Sequence, residues 1–414
     1  MIIAPYRHGL LLALLLTVAF AARLVAGFWW QSRLPPGMRF AFGDSQTYWS
    51  LGQQLARGEP YRYGSPNASV FRMPGYPLLL AALFRVVGDD PPVTWARALG
   101  AALGALAVGG VYWLGRQVFD PPTALLAAGM AAVYPGAVAT SAFVLSEAAF
   151  CPLMVAQIAA WVAAWQASDV RRASAWAAVT GVLAALATLV RPSWLTFIPF
   201  GIVVAMLVDR PRTRHLRIGL VMLAGLAVTM SPWWIRNGLV VGRFVPTTLQ
   251  LGASLYDGLN PRADGSSQMS FVPRFEALQR QEGGSGAGFE YDLDHRLFQA
   301  SLAWAAGHPR RVLELAAVKF ARLWNVWAND AEYRGWAFRL VTLLSYVPAL
   351  GLGLVGLWRE RGRGWPIVLC WLPAVYLTLL HVVFVSSIRY REPAMLVLLA
   401  PAAARLRVMR RFSH

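Results

Sequence analysis

About ten apolar segments of membrane-spanning length, separated by short arginine-bearing loops, dominate this sequence. They fall near 10–29, 93–114, 122–140, 147–166, 173–190, 193–208, 216–235, 336–358, 365–385 and 393–409. A hydrocarbon core of ~30 Å is crossed by about 20 residues of helix. Inside it every backbone N–H and C=O must be bonded within the segment, so a run of this kind has to be helical. The expectation is therefore an all-α polytopic membrane protein with about ten transmembrane helices. Composition agrees: 57% of residues are hydrophobic and 14% charged, which excludes an ordinary soluble domain with a charged shell. A net charge of +18 would direct a soluble protein toward nucleic acid. Here the basic residues collect in loops beside apolar runs, so a bilayer accounts for them and no nucleic-acid partner is expected.

Orientation is read from arginine. With a cytoplasmic N-terminus, the inside loops carry Arg7, Arg116, Arg171 and Arg172, then Arg210 to Arg217, Arg359 to Arg363, and Arg405 to Arg411, in keeping with the excess of basic residues on the cytoplasmic side. Both termini are then inside. The segment 312–327 is half apolar but holds Glu314, Lys319 and Arg322; as a span it would break the alternation, so it is placed as an amphipathic helix on the outer surface. The N-terminal run imitates a signal peptide, yet its apolar stretch continues to Trp30, and an uncleaved first span is expected. Lys319 is the only lysine among 38 basic residues, which reads as GC-rich coding and a bacterial inner (plasma) membrane.

Two outer segments, 30–92 and 236–335, are long enough to form a loop cap on the outer side. They divide the chain into an N-terminal transmembrane module 1–235, a large outer loop 236–335 and C-terminal transmembrane helices 336–414. The stretches Asn260–Ser270 and Gly283–Gly288 have the composition of turns or mobile loops. Cys151 and Cys370 lie inside apolar segments, so neither a disulfide framework nor a thiolate metal site is available.

The acids select a candidate site by position. Asp44 follows the first span by about fifteen residues, just before an amphipathic helix ending near Gly58; it is either that helix's N-cap or a carboxylate held at the membrane interface. Glu147 stands at the outer entrance of the fourth span, where a charge is costly unless paired or facing a polar cavity. Arg191, Arg236, Arg389 and Arg391 share one outer depth, either snorkelling to headgroups or converging on a lipid phosphate. Arg72 opens a second interfacial helix.

These residues lie in segments that resemble a family. Asp44 with Tyr48 four residues on, Arg72-Met73-Pro74-Gly75-Tyr76-Pro77, Arg191-Pro192, Pro232-Trp233-Trp234-Ile235-Arg236-Asn237, Gly258-Leu259-Asn260-Pro261 and Arg389-Tyr390-Arg391-Glu392-Pro393 run the length of the chain in order. The set resembles the GT-C type membrane glycosyltransferases that use polyprenyl-phosphate sugars, in the branch of protein O-mannosyltransferases and the aminoarabinose transferase of lipid A. Ser45 follows Asp44 where many relatives carry glutamate, which puts a paired carboxylate or metal at that point in doubt.

The resemblance implies transfer of a sugar from a polyprenyl-phosphate donor to an acceptor lipid, glycan or protein at the outer face, in the bilayer. It implies Asp44 as catalytic base, with Arg72, Arg191, Arg236, Arg389 and Arg391 on the donor phosphate and Tyr48, Tyr76, Glu147 and Tyr390 lining the pocket. A polyprenyl phosphate leaves as a weak base and asks for charge stabilisation more than for a proton, and guanidinium groups supply it bidentately. An ordinary aspartate is a weak base toward a hydroxyl, so an enclosed site or late proton transfer is required. Direct attack inverts the anomeric centre; neither a nucleophile-elbow serine nor a Cys/His pair suggests a covalent route. No cofactor is certain. A divalent metal stays open, because His295, His308 and His381 are not at ligand spacing. The competing readings are a lipid or solute transporter (or flippase) with an outer phosphate site, and a scaffold that catalyses nothing.

Overall fold

The computed structural model describes residues 5–64, 68–282, 286–329 and 335–411. Its helices begin with α1 (Pro5–Arg33), α2 (Gly43–Arg57), α3 (Gly75–Val87), α4 (Thr94–Val118), α5 (Pro121–Val133) and α6 (Pro135–Ala142). The middle of the chain gives α7 (Glu147–Gln166), α8 (Val170–Val190), α9 (Phe197–Val208) and α10 (Arg212–Val241). The long segment after α10 folds as α11 (Leu251–Gly258), α12 (Val272–Gln281), α13 (Phe289–Gly307) and α14 (Pro309–Trp324), and the chain closes with α15 (Trp336–Arg359), α16 (Trp365–Val383) and α17 (Glu392–Arg411). Among the described residues every regular element is helical, as a chain that satisfies its backbone within the bilayer requires.

Seven helices, α1, α4, α7, α8, α10, α15 and α16, are long and apolar enough to cross a membrane, and the bent pair α5–α6 makes an eighth. The remaining two expected spans are α9, apolar but short even with the turn at Pro192, and α17, which has charged residues at both ends. α7 is central, with 83% of its apolar window buried, whereas α1 is 11% buried and turns Leu10, Leu14, Val25 and Phe28 outward. α14 is not among the spanning candidates; it leaves Leu313, Val318 and Phe320 exposed on one side and buries Leu315, Lys319 and Leu323 on the other. The run Gly283–Gly288, Asp330 and Glu332 fall wholly or partly outside the described residues.

Local chemistry explains the breaks. Asp120 caps α5 by accepting from the Thr123 N–H, with prolines at the first helical positions. Pro135 ends α5, and α6 leaves it at 53°. The carbonyls freed at that break are taken by Arg23 of α1, which donates to Ala131 O at 3.0 Å and Ala132 O at 2.8 Å. Arg23 is 1% exposed, and it is retained there because a buried intramembrane charge must find such partners. α4 and the α6 end approach until only glycine fits: a Cβ on Gly100 would meet the Ser141 carbonyl oxygen at 2.2 Å.

Lys319 ties α14 to its neighbours by donating to Gly258 O at 2.8 Å and Val383 O at 2.6 Å. Burial lowers its amine to about 8. Asp257 beside it accepts from the Ser267 hydroxyl and the Gln268 N–H, both at 2.7 Å.

Candidate active site

Five elements meet at one end of the bundle. Asp44 sits in the first turn of α2 and Glu147 is the first residue of α7, so both carboxylates stand where a helix N-terminus favours negative charge. Asp44 is not the cap of α2: Phe42 holds that position and no side chain caps it. The arginines come from irregular backbone. Arg72 lies in the strap before α3, Arg191 ends α8 ahead of Pro192, and Arg389 belongs to a 3₁₀ turn, Ile388–Arg391, before α17.

These side chains alternate in charge along one line. Arg72 Nη2 bonds Asp44 Oδ1 at 2.6 Å; Arg389 reaches Asp44 Oδ2 at 3.5 Å through Nη2 and Glu147 Oε1 at 3.6 Å through Nε; Arg191 Nη1 closes the line on Glu147 Oε1 at 2.9 Å. Three guanidinium groups against two carboxylates leave one positive charge uncompensated. The ends differ in access: the Asp44 side chain is 36% exposed and that of Glu147 4%. Glu147 is therefore enclosed with its arginines, while the Asp44 carboxylate is partly open to the surroundings.

Aromatic rings wall the line. Arg72 lies over Tyr48, Tyr63 and Phe71, each at 5.6 Å, and Tyr48 meets Tyr76 edge-on at 5.2 Å. Burial pushes the Tyr48 phenol up, so it stays a neutral hydrogen-bonding group at ordinary pH. Tyr390 is shared by Arg191 at 5.3 Å and Arg389 at 4.9 Å, accepts an N–H from Arg389 at 3.0 Å, and stacks on His381 at 4.4 Å. Such cation–π contacts hold each guanidinium plane without consuming its N–H groups.

Two of the five expected phosphate arginines stand elsewhere. Arg236 lies beside the network, over Trp233 at 4.8 Å and Tyr61 at 5.6 Å, and forms no ion pair among the described residues. The Tyr61 hydroxyl donates to Arg72 O and Met73 O, so Arg236 borders the Arg72 strap. Arg391 corrects the reading of the sequence. It is 1% exposed, donates to Leu323 O at 3.1 Å and to Asn325 O at the end of α14, and lies 3.5 Å over Tyr346. Successive residues of a 3₁₀ helix are about 120° apart, so Arg389 and Arg391 project to different sides, and only Arg389 reaches the site.

One contributor was not legible. Glu290, on α13, accepts the backbone N–H of Ser69 at 2.8 Å and of Val70 at 3.1 Å, and Leu249 N–H bonds Val70 O at 3.0 Å. The strap that carries Arg72 is thus anchored by α13 and by the backbone just before α11. Burial raises the Glu290 carboxyl to about 7 against these N–H bonds, and burial likewise raises Asp294, which accepts from Gly252 N–H, to about 6. In sequence Glu290 is one acid among many in a long loop. Gln250, 3.4 Å from Arg72, carries no signal either.

A divalent cation does not fit the donor set as arranged. The Arg389 guanidinium already bridges Asp44 and Glu147, and among the described residues no three His, Cys, Asp or Glu side chains gather as ligands. His381 lies against Tyr390, His295 against Tyr291, and His308 turns to Trp304 O.

The chain is thus a helical membrane bundle with shorter helices beside its spans and an acid–arginine network at one end. Residues 72–235 match the family model described as dolichyl-phosphate-mannose-protein mannosyltransferase. The fold is similar to that of the archaeal oligosaccharyltransferase AglB from Archaeoglobus fulgidus in complex with an inhibitory peptide and a dolichol-phosphate. There the TM-score is 0.61 at 16% identity, covering 98% of this chain and 51% of that one. The apo form of the Archaeoglobus fulgidus oligosaccharyltransferase gives a TM-score of 0.60, again at 16% identity, over 99% of this chain and 52% of that one. ArnT from Cupriavidus metallidurans, bound to undecaprenyl phosphate, gives 0.48 at 15% identity over 98% and 79%, too distant to argue from. This chain therefore spans about half the length of the oligosaccharyltransferase it resembles. No curated protein sequence matches it.

Proposed function

We propose that this chain is a membrane glycosyltransferase that moves a sugar from a polyprenyl-phosphate donor to an acceptor hydroxyl on a lipid, glycan or protein, at the outer face of a bacterial inner membrane. The observation that carries the proposal is the half-open carboxylate of Asp44 held between Arg72 and Arg389. The family model over 72–235 and the fold shared with a protein that binds dolichol-phosphate support it.

In this reading the acceptor oxygen attacks the anomeric carbon from the face opposite the phosphate. The bond from that carbon to the phosphate oxygen breaks and its electron pair leaves with the polyprenyl phosphate, so the anomeric centre inverts. The acceptor proton passes to Asp44 and from there to solvent. Arg72, Arg389 and Arg191, with Arg236 at the strap, take up the leaving phosphate's charge. Donor phosphate on Arg72 and Arg389 competes for the N–H groups now turned to Asp44, which frees the carboxylate to accept a proton at the moment one is released.

The test is release of polyprenyl phosphate by purified protein from a panel of polyprenyl-phosphate sugars with crude envelope as acceptor. Wild type should release it, and Asp44→Asn should be slower by roughly 10²–10⁴-fold while still binding donor. Equal release by the variant removes Asp44 from the chemistry; no release from any donor by wild type removes the reaction.

A further inference from the structure

The opposite end of the bundle holds a second group of arginines, arranged differently. α17 starts at Glu392 beside the Asp44 network and, at about 1.5 Å per residue, has travelled about 20 Å by Arg405. It is buried from Ala394 to Ala403 and emerges from Arg405 onward. α15 runs parallel to it. The two helices touch so closely at Gly356 that a Cβ there would meet the Pro401 carbonyl oxygen at 2.1 Å. Past this contact a cavity of about 380 Å³ opens, lined by Gly356, Arg359, Glu360, Arg405 and Val408.

Its charge is positive. The Glu360 carboxylate is taken by Arg363 at 2.5 Å, and Arg407 is paired with Asp120. Arg359 and Arg405 have no carboxylate partner among the described residues; Arg359 lies over the Trp358 ring at 4.9 Å, a contact that leaves its N–H groups free. The surroundings are apolar and face outward: Leu354, Val355, Trp358 and Val408 are 55%, 42%, 58% and 36% exposed. Arginines at the ends of two helices would offset the negative C-terminal dipoles, but dipoles do not account for a cavity that both arginines line. A soluble anion does not account for the apolar flank.

We propose that this cavity is a headgroup site for an anionic phospholipid of the leaflet opposite the Asp44 network. Arg359 and Arg405 donate to the phosphodiester oxygens, and the acyl chains run along Leu354 and Val355. Basic pockets between spanning helices at the headgroup level suit this chemistry.

The test compares wild type, Arg359→Gln with Arg405→Gln, and Arg359→Lys with Arg405→Lys, each in nanodiscs of equal parts phosphatidylcholine and phosphatidylglycerol. Native mass spectrometry then counts the lipids each retains. Wild type should keep phosphatidylglycerol in preference to phosphatidylcholine. The Gln pair should lose that preference roughly tenfold, and Glu360→Gln should strengthen it. The Lys pair keeps the charge that sets orientation but not the bidentate fork, and should fall between. A thermal transition of the Gln pair equal to wild type in pure phosphatidylcholine shows that the loss is not unfolding; if that transition drops, the Lys pair alone decides. Undiminished preference in both pairs overturns the proposal, as does displacement of the bound lipid by inorganic phosphate, the mark of a free-anion site.

Discussion

The two ends of the bundle use the same residue in opposite ways. Around Asp44 and Glu147, arginines are paired, walled by aromatic rings and partly buried; at the other end Arg359 and Arg405 have no carboxylate partner among the described residues and border lipid-facing surface. Carboxylates make the difference. At the first end they fix guanidinium groups in one geometry, a condition for stabilising charge that develops during a reaction. At the second, arginines that no carboxylate holds suit a ligand that is bound and not transformed.

Glu147→Gln is the sharpest way to break this contrast. It leaves Arg191 and Arg389, both partly buried, without the counter-ion they share at the buried Glu147, a change that costs on the order of 3–5 kcal/mol when one partner of a buried pair is removed. The thermal transition in detergent should drop accordingly. An unchanged transition would mean that the paired end is no more organised than the free one.

Arg389 and Arg391 come next, because they stand two residues apart and are read so differently. Arg389→Ala should weaken donor binding at least tenfold with moderate loss of stability. Arg391→Ala should lower stability and leave the donor affinity of the folded fraction within about twofold, since its N–H groups serve carbonyls of α14. Donor titration on the folded fraction separates the two.

A smaller effect concerns pH. The raised carboxyls of Glu290 and Asp294 mean that the folded chain binds their protons more tightly than the unfolded chain does. Their contribution is complete below the ordinary carboxylate values, near 4, and is lost as pH rises through about 6 to 7. From pH 6 to pH 8 stability should fall by about 2 kcal/mol from these groups. Glu290→Gln should flatten most of that slope, which a pH series of thermal transitions would read; an unchanged slope would detach the Arg72 strap from Glu290 titration.

Much of this was legible in the chain. Apolar length located the eight spanning elements, and Asp44, Arg72, Glu147, Arg191, Arg389 and Tyr390, scattered over most of the sequence, do converge. What was not legible depends on direction and on distant partners. A 3₁₀ turn sends Arg391 away from Arg389, and no periodicity announces such a turn. Arg23 reads as an anomaly in an apolar run until the α5 break supplies carbonyls 108 and 109 residues away. Glu290 meets Val70 across 220 residues, and nothing near either signals the other.

The sole lysine has a practical consequence. Lys319 is the only side-chain amine in the sequence, and in the folded chain it is fully buried, committed to two carbonyls on either side of it. An amine-directed label should therefore leave this side chain untouched while α14 stays seated. Its rate of modification would serve as a built-in clock for the lifting of α14 from α16, with no engineered probe.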